Sequence, residues 1–236
     1  MALYSYVRTK RSRSLVPRIS ALLSLTLISC GVLLLLWILY PIVTFELFYS
    51  TKFSSIIRPV PNDSIAQTIT KDISVVLASS TLDYTKASTW FPQAAAVTTS
   101  ISNNGYTLSI PKLKIENATV TIGGDDLSKS LVHFTGPLPG NFGNTVILGH
   151  STLPFLYNPK DYKSIFTRLI TLTPGDRITV TTDNVTYTYS IEDLKIVRPD
   201  DLSVLMQSYA TSSLTLITCV PPGTYLKRLV ILASLL

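Results

Sequence analysis

From Ile19 to Phe45 the sequence contains no Asp, Glu, Lys, Arg or His. Few structures suit such a run. An apolar helix of about 20 residues crosses roughly 30 Å of hydrocarbon and satisfies its own backbone there. Residues 21–43 (ALLSLTLISCGVLLLLWILYPIV) have the length and composition for a transmembrane helix. Trp37 and Tyr40 lie near its far end, where aromatic rings favour the interface, and Pro41 stands where a helix ends at low cost. Two alternatives are weaker. A cleaved signal peptide has an apolar core of about 7–15 residues and a small-residue cleavage site, whereas this core is longer and 41–50 offers no such site. Leu27-Ile28-Ser29-Cys30 is similar to a lipoprotein box, but the apolar run continues well past Cys30.

The charge distribution follows the same boundary. The formal net charge of +6 invites a nucleic-acid reading, yet Arg8, Lys10, Arg11, Arg13 and Arg18 crowd the first 18 residues with no acid among them. Without those five, 15 basic residues face 14 acidic ones over positions 19–236. No basic patch remains for nucleic acid. Basic residues flanking a span are retained in the cytoplasm, so 1–18 is expected to be a cytoplasmic tail, 19–45 the anchor in a lipid membrane, and all that follows extracellular. Residues 46–104 are expected to form a stalk or linker. Asn62 or Asp63 is a suitable N-cap for a helix whose stripe is Ile65, Ile69, Ile73, Val76 and Leu77. From 78 to 104 Ser and Thr dominate without sustained periodicity, as in a solvated linker. Within it, Trp90, Phe91 and Pro92 are apolar enough to fold back onto the domain surface.

Residues 105–236 change texture to short β-branched runs cut by Gly, Pro, Asn and Asp. Strands are expected at 106–110, 113–122, 145–149, 177–182, 185–197, 214–219 and 228–233, with a two-residue hairpin turn at Asp183-Asn184. Short helical pieces are expected at 162–169 and 200–209. About 130 residues with seven or eight strands suits a small barrel or sandwich. Cys30 belongs to the apolar run and Cys219 stands alone beyond it, so no disulfide staples this domain.

A lone thiol outside the cytoplasm has three readings: an inert core cysteine, an intermolecular bridge, or a catalytic nucleophile. Its neighbours favour the third. Cys219 closes the run LTLITC, Arg228 opens the next run nine residues later across a Pro-Gly turn, and His150 closes TVILGH. Thiol, guanidinium and imidazole thus each stand at a strand terminus. Asp125-Asp126 and Asp200-Asp201 lack a full set of oxygen ligands at a recognisable spacing and read as solvated turns. No metal, nucleotide or other cofactor pattern is present in the sequence.

Thr215-Leu216-Ile217-Thr218-Cys219, with Arg228 nine positions on, resembles the TLxTC…R signature of the sortases. The stretch from His133 to Ser151 (HFTGPLPGNFGNTVILGHS) resembles the family's approach to its histidine. Phe166-Thr167-Arg168-Leu169 followed by Pro174-Gly175-Asp176-Arg177-Ile178 is similar to a third family passage, in the same order. The likeness covers 105–236. It implies an all-β, eight-stranded sortase-type barrel with one or two short helices, behind an N-terminal transmembrane helix. It also implies a bacterial cysteine transpeptidase whose partners are secreted proteins with a C-terminal LPxTG-like sorting motif and an amine acceptor of the cell envelope. The resemblance makes Cys219 the nucleophile, His150 the proton carrier and Arg228 the oxyanion or substrate-backbone donor. Thr218, Thr215 and His133 are supporting or substrate-facing positions.

Subtype is less direct. Pilin-polymerising sortases carry an Asp-Pro-aromatic lid and a second, C-terminal span. Residues 46–104 contain no Asp-Pro pair and the chain ends at Leu236, so a class A/D/E-like role is expected over pilus assembly. An L,D-transpeptidase places Ser-His-Gly before its cysteine, where this chain has Leu-Ile-Thr. A non-enzymatic, membrane-tethered β-domain for adhesion or sensing is the remaining alternative, and it needs neither thiol nor imidazole.

Overall fold

The computed structural model describes residues 16–48, 83–91 and 105–236. The expected helix over 62–77 lies outside the described residues. The chain divides into two units, one ending at Thr44 and the other running from Phe45 to Leu236.

The first unit is helical. α1 (Val16–Phe48) is 33 residues long, and within it Leu22–Phe45 is long and apolar enough to cross a membrane. The helix continues through Pro41 rather than ending there. Its described leucines from Leu22 to Leu39 are exposed, so this stretch of the helix presents an apolar surface. The hydroxyls in the run are satisfied locally: Thr26 donates to the Leu23 carbonyl, Ser29 to Thr26 and Thr44 to Tyr40.

The second unit is a closed barrel of eight strands. In chain order they are β1 (Tyr106–Ile110), β2 (Ile115–Ile122), β3 (Leu131–Thr135), β4 (Gly143–Leu148), β5 (Arg177–Thr182), β6 (Val185–Val197), β7 (Ser212–Val220) and β8 (Lys227–Leu235). Around the barrel the order is β1-β2-β3-β4-β7-β8-β6-β5. β2/β3 and β4/β7 pair in parallel and the other neighbours antiparallel.

Local chemistry sets several boundaries. β5 and β6 meet at Asp183 and Asn184, both at positive φ, the conformation a two-residue hairpin of this type requires. The run expected as one strand from 113 starts instead at Ile115. Pro111–Leu113 forms a 3-10 turn that Lys114 closes in the left-handed region. β3 was not among the expected strands. Of the two helical pieces, 200–209 holds one 3-10 turn, Leu202–Leu205, capped by the Asp201 carboxylate accepting from the Ser203 amide. Residues 162–169 are successive turns that lead into the 3-10 turn Leu169–Thr171.

Strand alternation splits the apolar residues into two cores. One fills the barrel: Leu108, Ile147, Leu214, Leu216, Leu229 and Ile231 are among its members. The other lies on the opposite face of β3, β4, β7 and β8, and contains Val132, Val146, Leu148, Ile217, Cys219 and Val230. This outer core needs a cover. The turn bearing Val204 supplies part of it; the rest comes from Ala87, Trp90 and Phe91, ahead of the barrel. Burial of rings of this size contributes about 25 cal/mol per Å² removed from water.

Candidate active site

β7 and β8 are joined by a short connection, and their register sets Cys219 directly opposite Arg228. Side chains opposite one another in an antiparallel pair share a face, with Cβ atoms about 4.5–5.5 Å apart. The thiol and guanidinium are therefore neighbours, both about 1% exposed. Arg228 Nη1 donates to the carbonyls of Tyr225 (3.1 Å) and Lys227 (3.3 Å), while Nε is buried with no hydrogen-bond partner.

The parallel pairing of β4 with β7 ends at Leu148 opposite Ile217. Beyond it the two chains remain tied. The Gly149 amide donates to the Ile217 carbonyl (3.2 Å), Thr218 Oγ1 donates to the Gly149 carbonyl (2.8 Å), and Ser151 Oγ donates to the Cys219 carbonyl (2.6 Å). His150 sits between those ties, at the level of Cys219. Its Nε2 is also buried without a hydrogen-bond partner. A third element meets the pair: Trp90, closing the short helix α2 (Ala87–Trp90). Its ring lies 5.0 Å from the Arg228 guanidinium carbon and 5.9 Å from the His150 ring, edge-on to the latter.

Burial governs the protonation states. It pushes the Cys219 thiol up to about 11, against the downward pull of Arg228. It also holds the His150 ring below its usual value, opposed by the Asp126 and Asp83 carboxylates. Both shifts favour the uncharged forms, the thiol and the neutral imidazole.

The other expected positions fall elsewhere. Thr218 shares strand parity with Leu214, Leu216 and Val220 of the barrel core, and its hydroxyl anchors the Gly149 carbonyl. Thr215, four residues up the strand, donates to Asn144 Oδ1 (2.7 Å). His133 is buried, with Nδ1 3.0 Å from the Tyr106 hydroxyl and Nε2 3.1 Å from the Gly136 carbonyl. A carbonyl only accepts, so Nε2 carries the proton and the Tyr106 hydroxyl donates to Nδ1. Among the described residues, no group of three or more His, Cys, Asp or Glu is placed to hold a metal. The sequence marks Trp90 only as a residue able to fold back; its place between Arg228 and His150, the Ser151 tie and the stacking of Tyr84 on Tyr225 (ring centroids 4.0 Å apart) carry no local signal in the sequence.

Two consequences are measurable. A Cβ on Gly149 would lie 2.4 Å from Phe166 Cδ2 and 2.7 Å from Leu131 Cδ2, both core atoms. Gly149→Ala is therefore expected to cost about 1–3 kcal/mol, read by urea denaturation, and to displace the adjacent imidazole. Unchanged stability would mean the backbone beside His150 yields freely. The second consequence concerns pH. Burial keeps the His133 ring below its usual value, as it does His150. The unfolded chain then binds protons near pH 6.5 that the folded chain refuses. The histidine contribution is complete above about pH 6.5 and declines as pH falls toward the folded values. Tm should drop between pH 7.5 and 5.5, and His133→Gln should make that drop smaller; an unaltered slope would clear His133.

Known proteins place this barrel in context. A family model described as Sortase domain matches residues 108–236, more than half of the chain. Sortase D of Bacillus subtilis (strain 168) is 30% identical over 116 residues, 48% of this chain and 53% of that protein. The chain thus spans about half the length of the curated relative it matches. Sortase C-1 from Actinomyces oris has a similar structure, with a TM-score of 0.50 and 24% identity over 72% of this chain and 98% of that one. Streptococcus agalactiae sortase C1, solved with MTSET, gives 0.51 and 21% over 74% and 93%. Both structural likenesses concern the fold.

Proposed function

This chain belongs to the sortase family, and from that premise we propose that it is a membrane-anchored cysteine transpeptidase acting on sorting signals of secreted proteins. The substrate is a short LPxTG-like motif near a protein's C-terminus, and the acceptor is an amino group of the cell envelope. Residues 19–45 hold the chain in the bacterial membrane, the basic residues before them stay in the cytoplasm, and the barrel of 105–236 works outside. Residues 46–104 connect the two.

The reaction is acyl transfer in two halves. Cys219, as thiolate, attacks the carbonyl carbon of the scissile peptide bond. The C–N bond breaks as His150 gives a proton to the departing amine, leaving a thioester on Cys219. The acceptor amine then attacks the thioester carbonyl, passes its proton to His150, and releases Cys219 as thiolate. In both halves Arg228 donates to the carbonyl oxygen as it gains negative charge. No cofactor enters this scheme.

One observation carries the reading: Cys219 faces Arg228 in register, while ties on both sides of His150 hold it to the same end of β7. A binding module has no need of that convergence. The test is incubation of the detergent-solubilised full chain with a library of LPxTG-like peptides and several amines. Cleavage coupled to a new amide with the amine is expected. No cleavage and no transfer with any motif or amine would contradict the proposal.

A further inference from the structure

The two ends of the barrel differ in what they show to solvent. Cys219, His150 and Arg228 stand at one end, where β4 and β7 finish and β8 begins. The other end lies at Ser212, seven strand residues before Cys219, or about 23 Å at about 3.3 Å per residue. There the β3–β4 loop (136–143) meets residues 206–211, which lead into β7, and the two are bonded together. The Gly143 amide donates to the Thr211 carbonyl (2.9 Å). The Gln207 side chain holds both backbone groups of Asn144: Oε1 accepts from the amide (2.9 Å) and Nε2 donates to the carbonyl (3.0 Å). From β6, the Tyr189 hydroxyl accepts from the Gly140 amide (2.8 Å).

This pinned surface turns its large apolar side chains outward. Met206 and Tyr209 are each 71% exposed, Phe142 68% and Leu138 41%. Both segments, GPLPGNFG and MQSYAT, lack Asp, Glu, Lys, Arg and His. Exposed apolar residues scattered singly are ordinary, but these share two bonded loops with no charge between them, and such a patch marks a contact surface.

We propose that this end of the barrel docks on the outer face of the lipid bilayer, with Leu138, Phe142, Met206 and Tyr209 entering the boundary between headgroups and acyl chains. The proposal rests on the membrane-anchored reading for its bilayer. Three observations favour lipid over a protein partner. The same chain carries a helix long and apolar enough to cross a membrane, which tethers the barrel at a high effective concentration beside the bilayer. The chain enters the barrel at this same end, since β1 starts where β4 starts. The side chains are those an interface takes, two aromatic rings beside aliphatic ones. With no basic residue in either loop, the contact is apolar and needs no anionic lipid. Docked in this way, the barrel turns the Cys219 end away from the membrane.

Fluorescence in a bilayer tests the docking without any substrate. The full chain with Cys30→Ser and Cys219→Ala carries a nitrobenzoxadiazole label on Ser208→Cys, an exposed position between Met206 and Tyr209, and is reconstituted in phosphatidylcholine vesicles. A lipid nitroxide near the headgroup is expected to quench the label, and one near the acyl terminus is not. The same label on Glu116→Cys, exposed at the Cys219 end, should escape both. Phe142→Ser and Tyr209→Ser each withdraw one exposed ring and should lower the ratio of docked to free barrel about tenfold. A chain that floats with the vesicles but is quenched no more at 208 than at 116 overturns the docking, whatever its activity. Quenching that survives both substitutions in the folded protein overturns it too. Self-quenching that rises with protein density, without nitroxide quenching, would overturn it by making the face a contact between copies. A chain that does not float overturns the anchor and the docking together. Docking with no peptide transferred by the chain that keeps Cys219 defeats the transpeptidase reading alone.

Discussion

Cys219→Ala leaves a folded barrel with no measurable transpeptidation, a loss of at least about 10⁴-fold in kcat/KM. The size follows from the chemistry: without the sulfur there is no thioester, and neither His150 nor Arg228 is a nucleophile that can replace it. The fold should tolerate the change, because Cys219 lies on the outer core while the barrel interior is filled by Leu216, Thr218 and Val220 of alternate parity. The lost sulfur leaves a small gap in the outer core, costing on the order of 1–2 kcal/mol. Circular dichroism and thermal melting should therefore match the parent within a few degrees while activity vanishes. Retained turnover would remove the nucleophile from the account and favour a barrel whose work is binding.

Arg228→Lys should lower kcat/KM by about 10²–10³-fold, with most of the loss in kcat. The side chain is buried, and its Nη1 is engaged with the carbonyls of Tyr225 and Lys227. Nε has no partner and is the donor held ready. A lysine carries the same charge, but as a single ammonium it cannot bond those two carbonyls and still present a second, fixed donor beside Cys219. Binding of the remote parts of a peptide survives, so KM should move little. Turnover near the parental value would assign oxyanion stabilisation to other donors. The choice of backbone donors there is limited, since Pro221 and Pro222 follow Cys219 closely and have no N–H.

The strand ends were legible because each candidate residue stands at one end of a β-branched run, and runs of that kind show their period and their stops. β1, β5 and β6 have the bounds expected from alternation and turn residues. β3 was not expected: LVHFT is only five residues, and its partners, β2 in parallel and β4, are fixed by tertiary pairing rather than by a local turn. The stretch 200–209 carries a helical spacing of Leu202, Leu205 and Tyr209, yet only Leu202–Leu205 turns, and the backbone is extended again at Met206. Packing of Val204 on the outer core, not helix propensity, fixes that segment.

The covering of the site was the least legible part. Residues 83–91 sit in a Ser/Thr-rich region that reads as linker, and the contact of Trp90 with Arg228 joins positions far apart in the chain. Nothing in local composition marks it; the clue in hindsight is an apolar Trp-Phe pair where a solvated linker has no use for one. His133 shows the converse. Its motif position suggests the site, but both ring nitrogens are engaged with Tyr106 and Gly136, and the effect expected of it is on stability against acid.

The most direct measurement is the mass of the protein during turnover. With an LPxTG-like peptide and no amine, the full chain should gain the mass of the acyl fragment N-terminal to the cleaved bond. Proteolytic mapping should place that mass on the peptide bearing Cys219, and hydroxylamine should release it. Peptide cleavage without such an adduct, or with the adduct on any other residue, would contradict a Cys219 thioester and the mechanism built on it.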